Sequence, residues 1–159
     1  MSDTVAEFDV CEEQQVPTVV LTRNGVPPEG IAELYDSAFA AFRTAIAAGE
    51  VSPTGPATAV YLRMAETVDV ELGFPGTLHG AHPSFVRSVL PGGLVACHTY
   101  LGSYQGLAVE WMQFVSELHA AGWEVAGPCW ESYVTQPTKD IDPTTLRTDL
   151  CCLVHRGQL

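Results

Sequence analysis

Glu131 and Tyr133 are the side chains in this sequence best suited to chemistry. They lie in a run of aromatic and β-branched residues, 129–135, that follows Gly127-Pro128. This composition predicts a short strand entered through a turn. Because side chains alternate across a strand, Glu131 and Tyr133 share one face, where a carboxylate beside a phenol can pair with a cation or serve in acid–base chemistry. A solvated glutamate on an edge strand is the alternative that this stretch alone leaves open.

An earlier stretch repeats this pattern. Gly55-Pro56 opens another apolar run, and aligning the two runs places Tyr61 on Tyr133 and Ala59 on Glu131. A helical segment and an apolar strand precede each run, and a further strand follows it. Because the order of elements is shared as well as the residues, the sequence predicts an internal duplication.

Two helices and seven or eight short strands follow from the hydrophobic periodicity. Residues 29–48 and 107–121 carry apolar side chains at helical spacing, whereas 67–74 alternates as a half-buried strand does. We therefore predict an α+β fold with a mixed or antiparallel sheet and two helices on one face. A single domain, 1–159, would contain two strand–helix–strand–strand modules, at approximately 10–76 and 85–159. A pseudo-twofold axis would relate them and leave a central ligand groove.

Aromatic residues supply the predicted walls of that groove. The symmetry-matched pair Tyr61 and Tyr133 would line it, with Glu131 on one side only. Trp111 lies on the apolar stripe of the second helix, as core or as a pocket wall. Tyr100 and His98 share one face of the strand at 94–101 and are further candidates, and a hydrogen-bonded sheet histidine is the alternative for His98.

Composition limits the classes of partner. The 159 residues include only seven Lys and Arg, and the formal net charge of −12 argues against nucleic-acid binding. The sequence has no apolar run of membrane-spanning length and no signal peptide at its acidic N-terminus, so we expect a cytoplasmic protein. Five cysteines without a C-x-x-C spacing indicate reduced thiols. His79 and His82 lack a third ligand, and no phosphate-binding loop is present, so we expect no metal and no cofactor.

The segment Trp130-Glu131-Ser132-Tyr133-Val134-Thr135-Gln136-Pro137, together with the duplication, resembles the GyrI-like effector-binding domains. These domains also form the ligand-binding half of bacterial multidrug-sensing transcription activators. The resemblance covers nearly the whole chain. It implies a pocket of aromatic residues around a buried glutamate that binds lipophilic cations, with Glu131 at the glutamate position and Tyr133 at the aromatic position beside it.

Several functions are compatible with this resemblance. The chain contains no helix-turn-helix or basic segment, so we expect a free-standing protein, monomer or homodimer, that binds small lipophilic cations or similar planar compounds. The alternative is a small hydrolase of cyclopropane-bearing or other strained natural products, in which Glu131 and Tyr133 are catalytic. A third hypothesis is an interaction module that inhibits gyrase. The sequence offers no second acid–base partner for Glu131, which favours binding over hydrolysis.

Overall fold

The computed structural model describes residues 8–136 and 138–157. The N-terminus, interpreted above as lacking a signal peptide, and Pro137 of the C-terminal motif lie outside the described residues. Within these ranges the chain forms nine strands and two α-helices in the order β1 (Asp9–Glu13), β2 (Val16–Val26), α1 (Ile31–Ala47), β3 (Val51–Pro53), β4 (Ala57–Met64), β5 (Val68–Leu78), β6 (Val86–Leu90), β7 (Gly93–Leu101), α2 (Leu107–Ala120), β8 (Trp123–Tyr133) and β9 (Arg147–Arg156).

The chain divides into two compact units. We call residues 14–91 the N-unit and the described residues of 1–13 and 92–159 the C-unit. Strand pairing within each unit is antiparallel, and each unit contributes one helix, so the fold class is α+β as predicted. Among the described residues, neither helix combines the length and apolarity needed to cross a membrane.

In the N-unit the strands lie in the order β4–β5–β2–β6, and β3 pairs with β5. Alternate residues of β5 are buried from Val68 to Phe74, as the period-two pattern predicts, and the predicted hairpin between β4 and β5 is confirmed. The helix α1 buries Phe42, which stacks on Phe85 with ring centroids 4.1 Å apart and also meets Phe74. These rings therefore form an aromatic cluster within a core that is otherwise aliphatic.

In the C-unit the strands lie in the order β1–β7–β9–β8. The helix α2 buries Phe114 and Leu118. Both pack against apolar side chains from one face of β7 and β9, namely Ala96, Leu150, Cys152 and Val154. The helix therefore covers the face of β8 and β9 on which Glu131 lies, because Glu131 pairs directly with Leu150.

The two units repeat one connectivity. The series β2, α1, β4, β5 in the N-unit corresponds to β7, α2, β8, β9 in the C-unit. In the N-unit β5 lies between β2 and β4, and in the C-unit β9 lies between β7 and β8. The helices match when they are aligned at their first residues, because the eighth and twelfth positions are buried in both. Register provides a second match: the row Leu21–Leu72–Ala59 of the N-unit corresponds to His98–Leu150–Glu131 of the C-unit.

The strand count is larger than predicted. The hydrophobic pattern did not predict β1, β3 or the part of β8 that precedes Cys129. The segment β1 reads as an acidic, exposed stretch and becomes a strand by pairing with β7, which lies far along the chain. For that reason it belongs to the C-unit, although the sequence places residues from about 10 onward in the first module. The remaining boundaries differ from the predicted ones mainly at strand and helix ends.

Candidate functional site

A buried carboxylate held by two aromatic donors lies in the C-unit. Glu131 is only 4% exposed. The indole Nε1 of Trp111 donates a hydrogen bond to its Oε2 at 2.7 Å, and the hydroxyl of Tyr133 donates to its Oε1 at 2.5 Å. Each carboxylate oxygen therefore has an aromatic donor, which offsets part of the cost of burying the group.

Strand alternation and helix position account for this arrangement. Tyr133 follows Glu131 by two residues in β8, so both side chains lie on the same face, as predicted. Trp111 is the fifth residue of α2, one turn before the buried Phe114, and the two rings are in contact with centroids 5.8 Å apart. Trp111 therefore has two kinds of contact, because its ring packs in the core and its N–H reaches Glu131.

A third aromatic residue at the site, Tyr104, was not predicted. It lies in the single 3₁₀ turn that precedes α2, and its ring meets that of Tyr133 edge-on at 5.8 Å. Partial burial, followed by the negative charge of Glu131, raises the pKa of Tyr104 above its ordinary value. The available signal in the sequence is its spacing of three and seven residues from Leu107 and Trp111, which extends the helical stripe backward.

The predicted candidate His98 forms a polar contact with Glu110, a partner that the sequence did not indicate. Its Nε2 lies 2.5 Å from Oε2 of Glu110, which is the fourth residue of α2. The imidazole is buried and also packs on Phe114, with ring centroids 5.5 Å apart. His98 therefore lies on the same sheet face as Glu131, on the other side of Leu150.

Tyr100 has a structural contact. Its hydroxyl donates to the carbonyl oxygen of Ser103 at 2.8 Å and so closes the turn that leads into α2. A side chain on Gly102 or Gly106 would overlap the Tyr100 ring, which explains the glycines on both sides of this turn. The hydroxyl is thus engaged with the backbone rather than with Glu131.

Tyr61 lies in the N-unit on β4, and its hydroxyl hydrogen-bonds to that of Tyr35 on α1. Tyr35 is the fifth residue of α1 and therefore matches Trp111. Ala59, fully buried, occupies the position that matches Glu131. The structure thus brings Glu131, Tyr133 and Trp111 together in one unit and gives Tyr61 a tyrosine partner in the other.

The chemistry of the C-unit site is that of an anion among aromatic rings. A carboxylate attracts a cation more strongly where water is excluded, and ring faces attract cations as well. Among the described residues, no three His, Cys, Asp or Glu side chains come together as a metal site would require.

Solved structures share this fold. No protein-family model and no curated protein matches the sequence. The EcmrR C-terminal domain superposes with a TM-score of 0.77 at 14% identity, covering 94% of this chain and 98% of that domain. EcmrR in its complex with DNA gives the same TM-score at 15% identity, and there the match covers 97% of this chain but spans 59% of the EcmrR chain.

Two further structures are similar over most of both chains. SAV2435, solved bound to tetraphenylphosphonium, has a TM-score of 0.67 at 9% identity and covers 94% of each chain. A hydrolase encoded by lin2189 from Listeria innocua has a TM-score of 0.61 at 9% identity, over 94% of this chain and 92% of its own. The chain therefore shares the fold of these structures, in agreement with the fold that the resemblance to GyrI-like effector-binding domains predicts.

Proposed function

We propose that this protein binds lipophilic aromatic cations at the C-unit site, with Glu131 as the counter-ion and Trp111, Tyr133 and Tyr104 as the surrounding rings. The observation that carries the proposal is a carboxylate that is 4% exposed and held by aromatic donors on both oxygens. Tyr61 of the N-unit remains a ligand-binding candidate, on the basis of its sequence match to Tyr133.

Burial decides which ligands this site favours. An ionised carboxylate out of water is costly unless a charge or donors compensate it. A small hydrated cation would lose its own water on entering, whereas a bulky aromatic cation is weakly hydrated and gains apolar contact with the rings. Lipophilic, delocalised cations are thus the ligand class with the most to gain.

The similar structures support the same class of ligand. SAV2435 was solved with tetraphenylphosphonium, an aromatic cation of this kind. At 9% identity the likeness concerns the fold alone, so the support for this chain comes from its own glutamate and rings.

Titration calorimetry with tetraphenylphosphonium tests the proposal. We expect saturable binding to the wild type, and a Kd raised about thirtyfold or more in Glu131→Gln, because a buried charge pair is lost. Glu124→Gln is the matched control, since Glu124 lies on the same strand but is exposed. It should change Kd less than about twofold. The neutral analogue triphenylphosphine oxide should bind weakly and respond to neither substitution.

Wild-type protein that fails to bind the cation, or a Glu131→Gln variant that binds it unchanged, would refute the proposal.

Hydrolysis is the second candidate, favoured by the 2.5 Å hydrogen bond from Tyr133 to Glu131. Glu131 would take a proton from water while the water oxygen bonds to a strained ring carbon. The ring bond at that carbon would break, the ring atom that leaves with the electron pair would receive the proton from Glu131, and Tyr133 would orient that atom where it is an oxygen. Incubation with a cyclopropane-bearing compound, followed by mass spectrometry, separates the two, because hydrolysis adds one water to the compound and binding leaves it intact.

A further inference from the structure

The contact between His98 and Glu110 lies next to the Glu131 site without touching Glu131 in the contacts described. Glu110 and Trp111 are consecutive residues near the start of α2. Glu110 bonds to His98 on β7, and Trp111 bonds to Glu131 on β8. The strand between them is β9, so the two anchor points are separated by two strand spacings, about 10 Å.

Two directional contacts on opposite sides of β9 restrict rotation of α2 about its axis. Apolar packing alone defines the distance between a helix and a sheet better than it defines rotation, because it is non-directional. A hydrogen bond weakens steeply once its angle departs from linearity, so the 2.7 Å bond from Trp111 to Glu131 depends on that rotation. His98 also packs on Phe114, one turn further along the same helix, which adds a second point of support.

The N-unit provides a comparison without this contact. Leu21 occupies the position that corresponds to His98, and Leu34, the fourth residue of α1, corresponds to Glu110. The repeated strand–helix framework therefore forms with leucine at both positions. A polar pair of a buried histidine and a partly exposed glutamate is not required by the framework at these positions, which indicates a role at the site.

We propose that His98 and Glu110 form a positioning dyad that fixes the rotation of α2 and thereby holds the Trp111 indole on Glu131. The dyad acts through Trp111 rather than through its charge or through contact with the ligand. This inference rests on the proposed function for its affinity readout, and it has a second readout that needs no ligand.

The test replaces His98 and Glu110 by leucine, the residue that the N-unit has at both corresponding positions. We expect His98→Leu/Glu110→Leu to keep its unfolding temperature while the indole N–H resonance of Trp111, assigned by its absence in Trp111→Phe, shifts upfield. The Kd for tetraphenylphosphonium should rise about tenfold. Glu110→Gln, which keeps a hydrogen-bond acceptor for His98 and removes the charge, should retain both the resonance and the Kd.

A cycle with Trp111→Phe distinguishes positioning from a general structural effect. In the Trp111→Phe background, the double leucine substitution should change Kd less than about twofold, because there is no indole N–H left to position. A tenfold loss in that background, or a Glu110→Gln variant as weak as the double variant, would overturn the proposal.

The test still decides on the dyad if the wild type binds no cation or if the double leucine variant does not fold. If the wild type binds no cation, the proposed function is wrong. The indole resonance then tests the positioning dyad by itself, and an unshifted resonance in the double leucine variant refutes the dyad. If the double variant does not fold, Glu110→Ala replaces it, since Glu110 is on the helix surface with its side chain 23% exposed. The same upfield shift is expected there.

Discussion

The two units build the same strand–helix framework with different side chains at the positions next to the helix. In the C-unit, the row across the sheet is His98–Leu150–Glu131, and in the N-unit the matching row, Leu21–Leu72–Ala59, is apolar throughout. All three N-unit residues are buried. The N-unit shows that this framework packs without polar groups in that row.

The hydrogen bonds differ in the same way. Tyr35 and Tyr61 bond directly to each other in the N-unit, whereas their counterparts Trp111 and Tyr133 both donate to Glu131 in the C-unit. Glu131 therefore replaces an alanine methyl group by an acceptor between two aromatic donors. Since a buried carboxylate costs stability and the framework does not require one, this difference supports the proposal that Glu131 is retained for binding.

The largest expected effect comes from placing the carboxylate in the wrong unit. Ala59→Glu puts a buried charge beside Leu72 in an apolar row, so we expect the free energy of unfolding to fall by about 3 kcal/mol or more, measured by urea denaturation. Leu62→Glu, an exposed site on the same strand, is the control and should cost less than about 0.5 kcal/mol. If Ala59→Glu does not lower the stability, the hydroxyls of Tyr35 and Tyr61 suffice to hold a buried carboxylate. A carboxylate at this position would then carry no cost in stability, which would contradict the comparison of the two units.

An intermediate effect is expected from the matched tyrosines. Tyr133→Leu removes the ring beside Glu131 and should weaken tetraphenylphosphonium binding about tenfold, because a cation loses a ring face in a desolvated site. Tyr61→Leu, its counterpart, should weaken binding only about threefold, because the Tyr61 hydroxyl bonds to Tyr35, whereas the Tyr133 hydroxyl bonds to the counter-ion Glu131. Equal losses, measured by calorimetry, would mean that the carboxylate does not distinguish the two tyrosines.

The smallest effect concerns the ionisation of Tyr104. Burial and the charge of Glu131 raise its pKa, so the neutral phenol is favoured in the folded protein. The resulting stabilisation is present below the ordinary tyrosine pKa and is lost as the pH rises through the raised value. Absorbance at alkaline pH, with Tyr104→Phe to assign the signal, should show a lower pKa in Glu131→Gln. The same shift should follow addition of tetraphenylphosphonium, and a Tyr104 titration insensitive to both would contradict this.

Short-range patterns account for the parts of the fold that were predicted. The alternation in β5 and the short link to β4 define a hairpin locally, and the stripe on α2 places Trp111 beside Phe114. By contrast, the pairing of β1 with β7 joins residues eighty or more positions apart, and nothing in an acidic five-residue segment indicates its partner.

The predicted and unpredicted parts of the site differ in the same way, by whether they depend on short-range or long-range contacts. Glu131 and Tyr133 share a face because they are two residues apart in one strand, and the resemblance supplied their role. The bond between His98 and Glu110 depends on how a helix lies over a sheet, so Glu110 was not identified, although the alternative of a hydrogen-bonded His98 was. Tyr104 was not identified because it lies in a 3₁₀ segment, which hydrophobic periodicity does not distinguish from a loop.

Ligand-linked stability tests most directly whether Glu131 is retained for binding rather than for folding. The free energy of unfolding is measured with and without tetraphenylphosphonium, for the wild type and for Glu131→Gln. At one hundred times the wild-type Kd, the ligand should stabilise the wild type by about 2.7 kcal/mol. Without ligand, Glu131→Gln should be at least as stable as the wild type, and ligand should add less than about 1 kcal/mol. Equal stabilisation of both proteins, or a Glu131→Gln variant that is unfolded without ligand, would contradict this.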